Sequence, residues 1–263
     1  MTLTLSALNV YPVKSCGGTA VTSWEVDELG PRWDRRWMFI DGASYFQTQR
    51  WNAALALIRP RLVDGGVELS APGVEPLVAP PGGGPPLKTE VWGDAVEAEA
   101  CGAEADQWAS EYVGDGCRLV FLPDAAARRF PDGDGSIGRV GFADAFPFLL
   151  VGEASLDDLN RRLADPIPMN RFRPNLVVSG SEPYAEDQWQ HVTIGEIPFS
   201  MTRRCVRCSI PTIDQDTAVM GKEPSATLAT YRKTPRGVVF GVNLAHGATG
   251  RLKVGARVAI STS

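Results

Sequence analysis

The first third of the chain alternates short apolar runs with Gly, Pro and Asp, a pattern typical of β-strands separated by turns. The strand candidates lie at residues 3–13, 36–40, 55–62, 66–69 and 90–99. Several short strands of this kind predict a small barrel or sandwich. Residues 80–86, which read PPGGGPP, lack the side chains for a core, and we expect a hairpin loop there.

The rest of the chain combines helices with further strands. Helices are predicted at 103–112, 155–163 and 225–231. Ser155 is expected to cap the second helix, with acidic residues in its first turn. Residues 123–137 are polar and rich in Gly, which predicts a loop. Further strands are expected at 119–122, 175–178, 191–197, 237–244 and 252–260. The predicted fold class is mainly β with several helices (α+β).

Composition limits the size and partners of the protein. The 263 residues are 44% hydrophobic, enough for a sizeable core in two packed units. The net charge of −5 argues against nucleic acid as a bulk electrostatic partner. Neither a membrane span nor a secretory signal is indicated. The five cysteines are scattered and odd in number, which fits reduced thiols, so we expect a cytoplasmic protein with no membrane partner.

The pair Cys205-x-x-Cys208 is the first candidate for chemistry, and several interpretations compete. Structural zinc needs more ligands at suitable spacing than the chain offers. A thioredoxin-like pair should open a helix, whereas SIPTID follows here. A single thiolate could ligate a metal, because the neighbouring Arg203, Arg204 and Arg207 favour the ionised form. Both cysteines could instead be small buried residues on a strand.

Basic side chains form further candidate sites. Lys14 and Ser15, in a loop after a strand, could hold a phosphate or another anion, although the P-loop pattern is missing. Arginine forks near residue 35 and in the segment MNRFRPN could bind carboxylate or phosphate oxygens. Solvated turn residues and surface ion pairs are the simpler explanation for each of these.

Two carboxylates stand near these segments, Asp144 in GFADAFPF and Asp214 in SIPTID. Each is a candidate polar group near a site, although turn and cap roles are common for Asp. Neither a Ser-His-Asp triad nor a GxGxxG fingerprint is present. The chemistry therefore depends on thiols and arginines.

Several segments together resemble the MOSC-domain family, in the branch with an N-terminal β-barrel domain that includes the mitochondrial amidoxime-reducing component and its bacterial relatives. They span almost the whole chain in order. The matching segments are YPVKSCGG (11–18), DRRWMFID (34–41), FQTQR (46–50), FADAFPFLLVGEASLDDLNRRL (142–163), NRFRPNLVVSG (170–180), YAEDQW (184–189), RCVRCSIPTIDQDT (204–217) and LKVGARV (252–258).

The resemblance implies a MOSC-type β-barrel packed against an N-terminal β-barrel-like domain, with the cofactor between them. We expect the N-terminal domain at 1–120 and the MOSC domain at 121–263. The resemblance implies a one-pterin molybdenum cofactor (Mo-molybdopterin) held by a protein cysteine, and it assigns Cys208 as the metal ligand, with Cys205 as the runner-up. The cofactor-binding residues it implies are Lys14, Ser15, Arg35, Asp144, Arg173 and Asn175.

The activity that the resemblance implies is reduction of N-hydroxylated compounds, with Cys208 and Asp214 as catalytic residues. The chain shows neither an N-terminal hydrophobic anchor nor the cysteines of an iron–sulfur domain, so electrons would come from separate proteins. Cytochrome b5-like, ferredoxin-like and flavoprotein donors are the candidates. A molybdenum-cofactor carrier or sulfur-transfer protein is the alternative, and pyridoxal phosphate binding is a further expectation from the family.

Overall fold

The computed structural model describes residues 2–131 and 137–261 of the chain. In chain order, the strands are β1 Thr4–Val10, β2 Thr19–Val21, β3 Ser23–Asp27, β4 Gly30–Pro31, β5 Trp37–Ile40, β6 Arg59–Val63, β7 Gly66–Ala71, β8 Val74–Ala79, β9 Pro86–Val91, β10 Asp94–Ala100, β11 Arg118–Phe121, β12 Arg128–Pro131, β13 Ile137–Val140, β14 Phe148–Gly152, β15 Leu176–Ser179, β16 His191–Ile194, β17 Ile197–Val206, β18 Lys233–Thr234, β19 Gly237–His246, β20 Gly250–Lys253 and β21 Val258–Ser261. The α-helices are α1 Ala103–Tyr112, α2 Glu153–Asn160 and α3 Ser225–Tyr231.

The largest sheet has the strand order β2-β1-β15-β14-β19-β17-β16-β21, and β18 pairs with β19. Alternating apolar side chains of these strands face one core, which includes Leu5, Phe148, Leu176 and Leu244. β1 runs antiparallel to β15, and β14 runs parallel to β15. The end of β1 and the starts of β14 and β15 therefore meet at one edge of the sheet.

The sequence from β5 to β11 forms most of a second core. Its sheets are β5-β11-β10-β9 and β6-β7-β8. Trp37, Phe39 and Leu119 are almost completely buried there, and the ring of Trp108 on α1 stacks on Phe39 with centroids 6.1 Å apart. Burial of such aromatic side chains is a major favourable contribution to folding.

Strands from both ends of the chain are interleaved. β1 lies inside the large sheet, and β20 pairs with β3 in the sheet β20-β3-β4. The division into 1–120 and 121–263 stays a prediction, because the first three strands pack with strands from the C-terminal half. The mainly β class with a few helices is confirmed.

Several predicted elements differ from the structure in the N-terminal half. A 3-10 helix, Ala53–Leu57, replaces the first part of the strand expected at 55–62. The strand expected at 90–99 is two strands, because Trp92 and Gly93 adopt left-handed conformations and form a turn. Residues 80–86 do not close a hairpin, because β8 pairs with β7 and β9 pairs with β10.

The C-terminal half contains further corrections. The loop expected at 123–137 contains β12 and the start of β13, which pair with each other, and residues 132–136 lie outside the described residues. α2 begins at Glu153, so Ser155 is not its cap; the Ser155 hydroxyl donates to Glu186 Oε1 at 2.7 Å. The strand expected at 252–260 is divided into β20 and β21.

The ten-residue strand β17 has no counterpart in the sequence prediction beyond residue 197. Its second half is polar, and its pairing with β19 shifts register between Met201 and Arg203 and again between Arg204 and Val206. Such irregularities break the apolar alternation by which strands are predicted. In the ranges 2–131 and 137–261, no helix has the length and apolar character needed to cross a membrane.

Candidate functional site

A cavity of about 820 Å³ lies where the end of β1, the starts of β14 and β15 and the polar half of β17 come together. Its size falls within the range of ligand-binding pockets. The lining is rich in cations and includes both cysteines of the CxxC segment. Its basic and thiol-bearing side chains are Lys14, Arg35, Arg50, Arg173, Arg203, Arg204, Cys205, Arg207, Cys208 and Arg236.

The ring of Tyr11 is the platform for two of these arginines. The guanidinium groups of Arg35 and Arg173 lie 4.3 and 4.5 Å from its centroid, and its hydroxyl donates to the carbonyl of Pro174. Burial, opposed by the neighbouring arginines, raises the pKa of Tyr11 to about 12, so the ring stays neutral. A Cβ at residue 18 would come within 2.3 Å of this ring, so Gly18 is required by close packing.

The carboxylate of Asp34 holds this part of the wall together. It accepts hydrogen bonds from the backbone N–H of Tyr11 at 2.8 Å and from Asn175 Nδ2 at 3.1 Å, and it pairs with Arg35. Burial raises the pKa of Asp34, whereas the charge of Arg35 opposes that rise. Asn175 Oδ1 in turn accepts from Arg35 Nη1 at 3.1 Å, so Asn175 orients the guanidinium.

Three of the residues expected to bind the cofactor have left-handed backbone conformations: Ser15, Arg35 and Arg173, with φ of 66°, 47° and 58°. Non-glycine residues in this region cost about 1–3 kcal/mol each and cluster at functional sites. Here each residue follows or precedes a strand, and the turn directs its side chain into the shared cavity. Burial lowers the pKa of Arg173 to about 10, so this arginine remains cationic at neutral pH.

Lys14 and Asp144 form an ion pair in the cavity wall. Lys14 Nζ also donates to the carbonyl of Phe142 at 2.8 Å, and burial lowers its pKa against the effect of Asp144. Asp144 accepts further bonds from Arg50 Nη2 at 2.9 Å and from the indole of Trp92 at 3.1 Å. Desolvation alone would raise the pKa of Asp144, but Lys14 and Arg50 outweigh it and hold that pKa well below its usual range.

The two thiols occupy different positions in the chain fold. Cys205 lies on β17, where its Sγ accepts a hydrogen bond from Arg207 Nη1 at 3.1 Å. Cys208 follows the strand and precedes a three-residue 3-10 turn, so the pair does not open an α-helix. Both are half-buried and both line the cavity. Among the described residues, no group of three or more His, Cys, Asp or Glu side chains is placed to hold a metal.

Arg171 secures the loop that follows Cys208. Its guanidinium is buried and donates to the carbonyls of Pro211 and Glu223 at 2.8 and 3.3 Å, and it pairs with Asp214 at 3.4 Å. The carboxylate of Asp214 also accepts bonds from the backbone of Asp216 and from Thr217, which hold its pKa below the usual range. Asp214 does not line the cavity, and its contacts are with Arg171 and with residues of this loop.

The cavity thus brings together all of the predicted site residues except Asp214. Sequence reasoning assigned no role to Tyr11, Arg50 or Arg236. Arg50 stood in the recognisable segment FQTQR, but its ion pair with Asp144 joins positions far apart in sequence. Tyr11 directly follows the apolar residues of β1, so its sequence position suggests only a buried ring. Its contacts with Arg35 and Arg173 arise from tertiary structure.

Comparison with known families identifies the family of this chain. The family model of the MOSC domain matches residues 137–259, and that of the MOSC N-terminal beta barrel domain matches residues 2–116. The chain is 37% identical to mitochondrial amidoxime-reducing component 1 of Mus musculus over 242 residues, which cover 87% of this chain and 71% of that protein. The chain therefore belongs to the MOSC-domain family, in the branch with an N-terminal MOSC β-barrel domain.

Two other relatives represent the two kinds of protein to which the chain is similar. Mitochondrial amidoxime reducing component 2 of Bos taurus is 34% identical, covering 96% of this chain and 81% of that protein. Molybdenum cofactor sulfurase of Danio rerio is also 34% identical and matches 92% of this chain, but the match covers 32% of the sulfurase. The chain thus spans most of the reducing components and about a third of the sulfurase.

Proposed function

We propose that this protein binds a molybdenum cofactor in the cavity and reduces N-hydroxylated compounds such as amidoximes and hydroxylamines. The observation that carries the proposal is the convergence of a cavity thiol, Cys208, with a wall of buried cations. A thiolate is a suitable donor to molybdenum, and arginine forks suit a phosphate. The relatives named amidoxime-reducing components support the choice of substrate class.

The residues present fit this cofactor. Arg207 Nε is buried in the cavity wall without a hydrogen-bond partner among the described residues, as expected of a donor that awaits an acceptor. Lys14, Ser15, Arg35 and Arg173 would hold the phosphate, and Cys208 would ligate the metal. Asn175 would keep Arg35 in position through the hydrogen bond at 3.1 Å.

The cofactor would supply the two-electron reduction that removes the substrate oxygen, and the protein would supply binding and orientation. Electrons would come from separate donors, of the cytochrome b5-like, ferredoxin-like or flavoprotein type. Asp214 is not among the described residues that line the cavity, so we propose that it acts by fixing the loop after Cys208 through Arg171. Asp144 would act by holding Lys14 and Arg50 at the wall.

The test is anaerobic turnover of benzamidoxime by cofactor-loaded protein with a chemical electron donor. Formation of benzamidine, lost in Cys208→Ala and retained in Cys205→Ala, is the expected result. Loaded protein that fails with several N-hydroxylated substrates would refute the reductase function. Circular dichroism of each variant separates loss of activity from loss of fold.

A molybdenum-cofactor carrier or sulfur-transfer protein is the second candidate. It is favoured by the similarity to the sulfurase of Danio rerio and by the presence of two thiols in one cavity. Mass spectrometry of the purified protein distinguishes the two, because a persulfide on Cys208 indicates sulfur transfer. We leave pyridoxal phosphate outside the proposal, since Lys14, the one lysine among the described lining residues, is engaged by Asp144 and Phe142.

A further inference from the structure

The cations of the cavity fall into two groups that differ in burial and in partners. Lys14, Arg35 and Arg173 belong to the buried wall, where carboxylates or carbonyl oxygens engage each of them. Arg203, Arg204 and Arg236 are exposed at the rim and line the same cavity. The proposed function assigns the buried group to the cofactor phosphate, so the exposed group requires its own explanation.

The rim arginines keep most of their hydrogen-bonding capacity. The Arg203 guanidinium lies 4.7 Å from the centroid of Phe146, and its N–H groups make no hydrogen bond or ion pair within the described residues. Arg204 approaches Asp187 at 4.0 Å, but Arg232 already engages the same carboxylate oxygen at 2.6 Å. Among the described residues, the Arg236 side chain has no hydrogen bond or ion pair.

The rim lies next to the thiols. Arg203 and Arg204 share β17 with Cys205, and that strand leads directly to Cys208. Arg236 stands in the turn between β18 and β19, which packs on the end of β17: a Cβ at residue 237 would lie 2.8 Å from Val206 Cγ1. The backbone N–H of Arg207 also donates to the carbonyl of Val238 at 2.8 Å. All three rim arginines therefore line the same cavity as the proposed metal ligand.

Carboxylates are scarce in this cavity. Among the described lining residues, Asp144 is the single acid, and Lys14 and Arg50 neutralise it. The excess of positive charge at the rim is local, because the chain as a whole carries a net charge of −5. A concave site lined with one sign of charge raises the local concentration of oppositely charged small molecules.

We propose that Arg203, Arg204 and Arg236 form an anion-recognition rim, and that the preferred substrates carry a carboxylate or another anionic group beside the N-hydroxylated centre. This inference rests on the proposed reductase function for its kinetic test. Arginine forks bind carboxylates through paired N–H groups, which places the remainder of the substrate towards Cys208. Phe146, beneath Arg203, offers an apolar face for the body of such a substrate.

The kinetic experiment compares benzamidoxime with 4-carboxybenzamidoxime, which has the same reacting group and one added carboxylate. A chemical electron donor is used, so that docking of a donor protein does not enter the rate. We expect kcat/KM to be about tenfold higher for the carboxylated compound at low salt, and this ratio to fall as ionic strength rises. In the double variant Arg204→Gln/Arg236→Gln, the ratio should fall towards one.

The matched control is Arg61→Gln/Arg161→Gln, which likewise removes two charges, from arginines that are each 64% exposed, pair with Glu68 and Asp158, and do not line the cavity. It should keep the wild-type ratio. Equal kcat/KM for the two substrates, or a preference that survives in the double variant, would overturn the proposal.

A binding experiment keeps the inference separate from the reductase function. Calorimetry with benzoate and benzamide, two planar rings of similar size and different charge, should detect binding of benzoate to cofactor-loaded protein and its loss in the double variant. Turnover of neither amidoxime, together with benzoate binding, would refute the reductase function and leave the anion rim intact. Equal binding of benzoate and benzamide would refute the rim and direct attention to an acidic face of a donor protein as its partner.

Discussion

Both sides of the cavity carry arginines, but the arginines on the two sides differ in burial and in their partners. On the side of β1, Arg173 is buried and Arg35 is largely buried; both stack on Tyr11, and they are tied to the carbonyl of Cys16 and to Asp34 respectively. On the side of β17, Arg203, Arg204 and Arg236 are exposed and have few partners. A buried cation must be paired, because an uncompensated charge in the interior is costly, whereas an exposed cation remains available for ligands. The first arrangement suits a permanently held group, and the second suits a molecule that enters and leaves.

Among the variants that test this difference, Asp34→Ala should have the largest effect on the free energy of unfolding. The change leaves the Tyr11 N–H, the Asn175 amide and the Arg35 guanidinium without their shared acceptor. We expect a loss of about 3–5 kcal/mol in the free energy of unfolding, measured in urea, because one partner of a buried charge pair is removed. Glu25→Ala is the control, since Glu25 pairs with arginines that are more than half exposed, and it should lower the free energy of unfolding far less than Asp34→Ala does. Similar losses in both variants would contradict the role of Asp34 in holding this part of the cavity wall together.

Arg171→Ala tests whether Arg171 stabilises the loop after Cys208. The variant loses hydrogen bonds to Pro211 and Glu223, and we expect the free energy of unfolding to fall by about 2 kcal/mol. Arg161→Ala, at an arginine 64% exposed on the surface, should change it by less than about 0.5 kcal/mol. Equal effects of the two changes would show that the loop does not depend on Arg171.

Asp144→Asn has a smaller effect that depends on pH. Since the folded-state pKa of Asp144 is lowered, its ion pair stabilises the protein above the ordinary Asp pKa of about 4, and the contribution is lost as pH falls below that value. The carboxylate is 48% exposed, and the amide oxygen of Asn can still accept from Lys14, which also keeps its hydrogen bond to the carbonyl of Phe142, so we expect a difference of less than about 1 kcal/mol between wild type and variant at pH 7. Urea unfolding between pH 7 and pH 3 checks this. A difference in the free energy of unfolding between wild type and variant that grows as the pH falls would contradict this prediction.

The smallest effect is expected at the rim. Arg236→Ala should alter the free energy of unfolding by less than about 0.5 kcal/mol, because its side chain has no partner within the described residues. Thermal unfolding of variant and wild type measures the difference. A loss above about 1 kcal/mol would mean that Arg236 has a structural role, and the contrast between wall and rim would weaken.

The sequence allowed the composition of the site to be predicted better than its geometry. Family motifs indicated Lys14, Arg35, Arg173 and Cys208, and the structure places all of them around one cavity. Their convergence depends on β1 pairing with β15, a contact between residues more than 160 positions apart that no local pattern reveals. The metal-binding and catalytic roles of these residues remain predictions.

Local patterns failed where tertiary contacts override them. β17 was not recognised beyond its start because its polar half faces the cavity instead of a core, so the usual alternation is absent. Ser155 has the sequence features of a helix cap, but the buried carboxylate of Glu186 engages its hydroxyl and the helix begins two residues earlier. The family resemblance implies a catalytic role for Asp214, which stays a prediction; in the structure its contacts are with Arg171 and the turn that it caps.

The most direct test of the account is the molybdenum content of cofactor-loaded wild type beside Cys208→Ser and Cys205→Ser, measured by plasma mass spectrometry after desalting. We predict about one molybdenum per chain in wild type and in Cys205→Ser, and little in Cys208→Ser, because a thiolate binds the metal more strongly than a hydroxyl. Circular dichroism confirms that each variant is folded. Full retention of molybdenum in folded Cys208→Ser would contradict the assignment of Cys208 as the ligand.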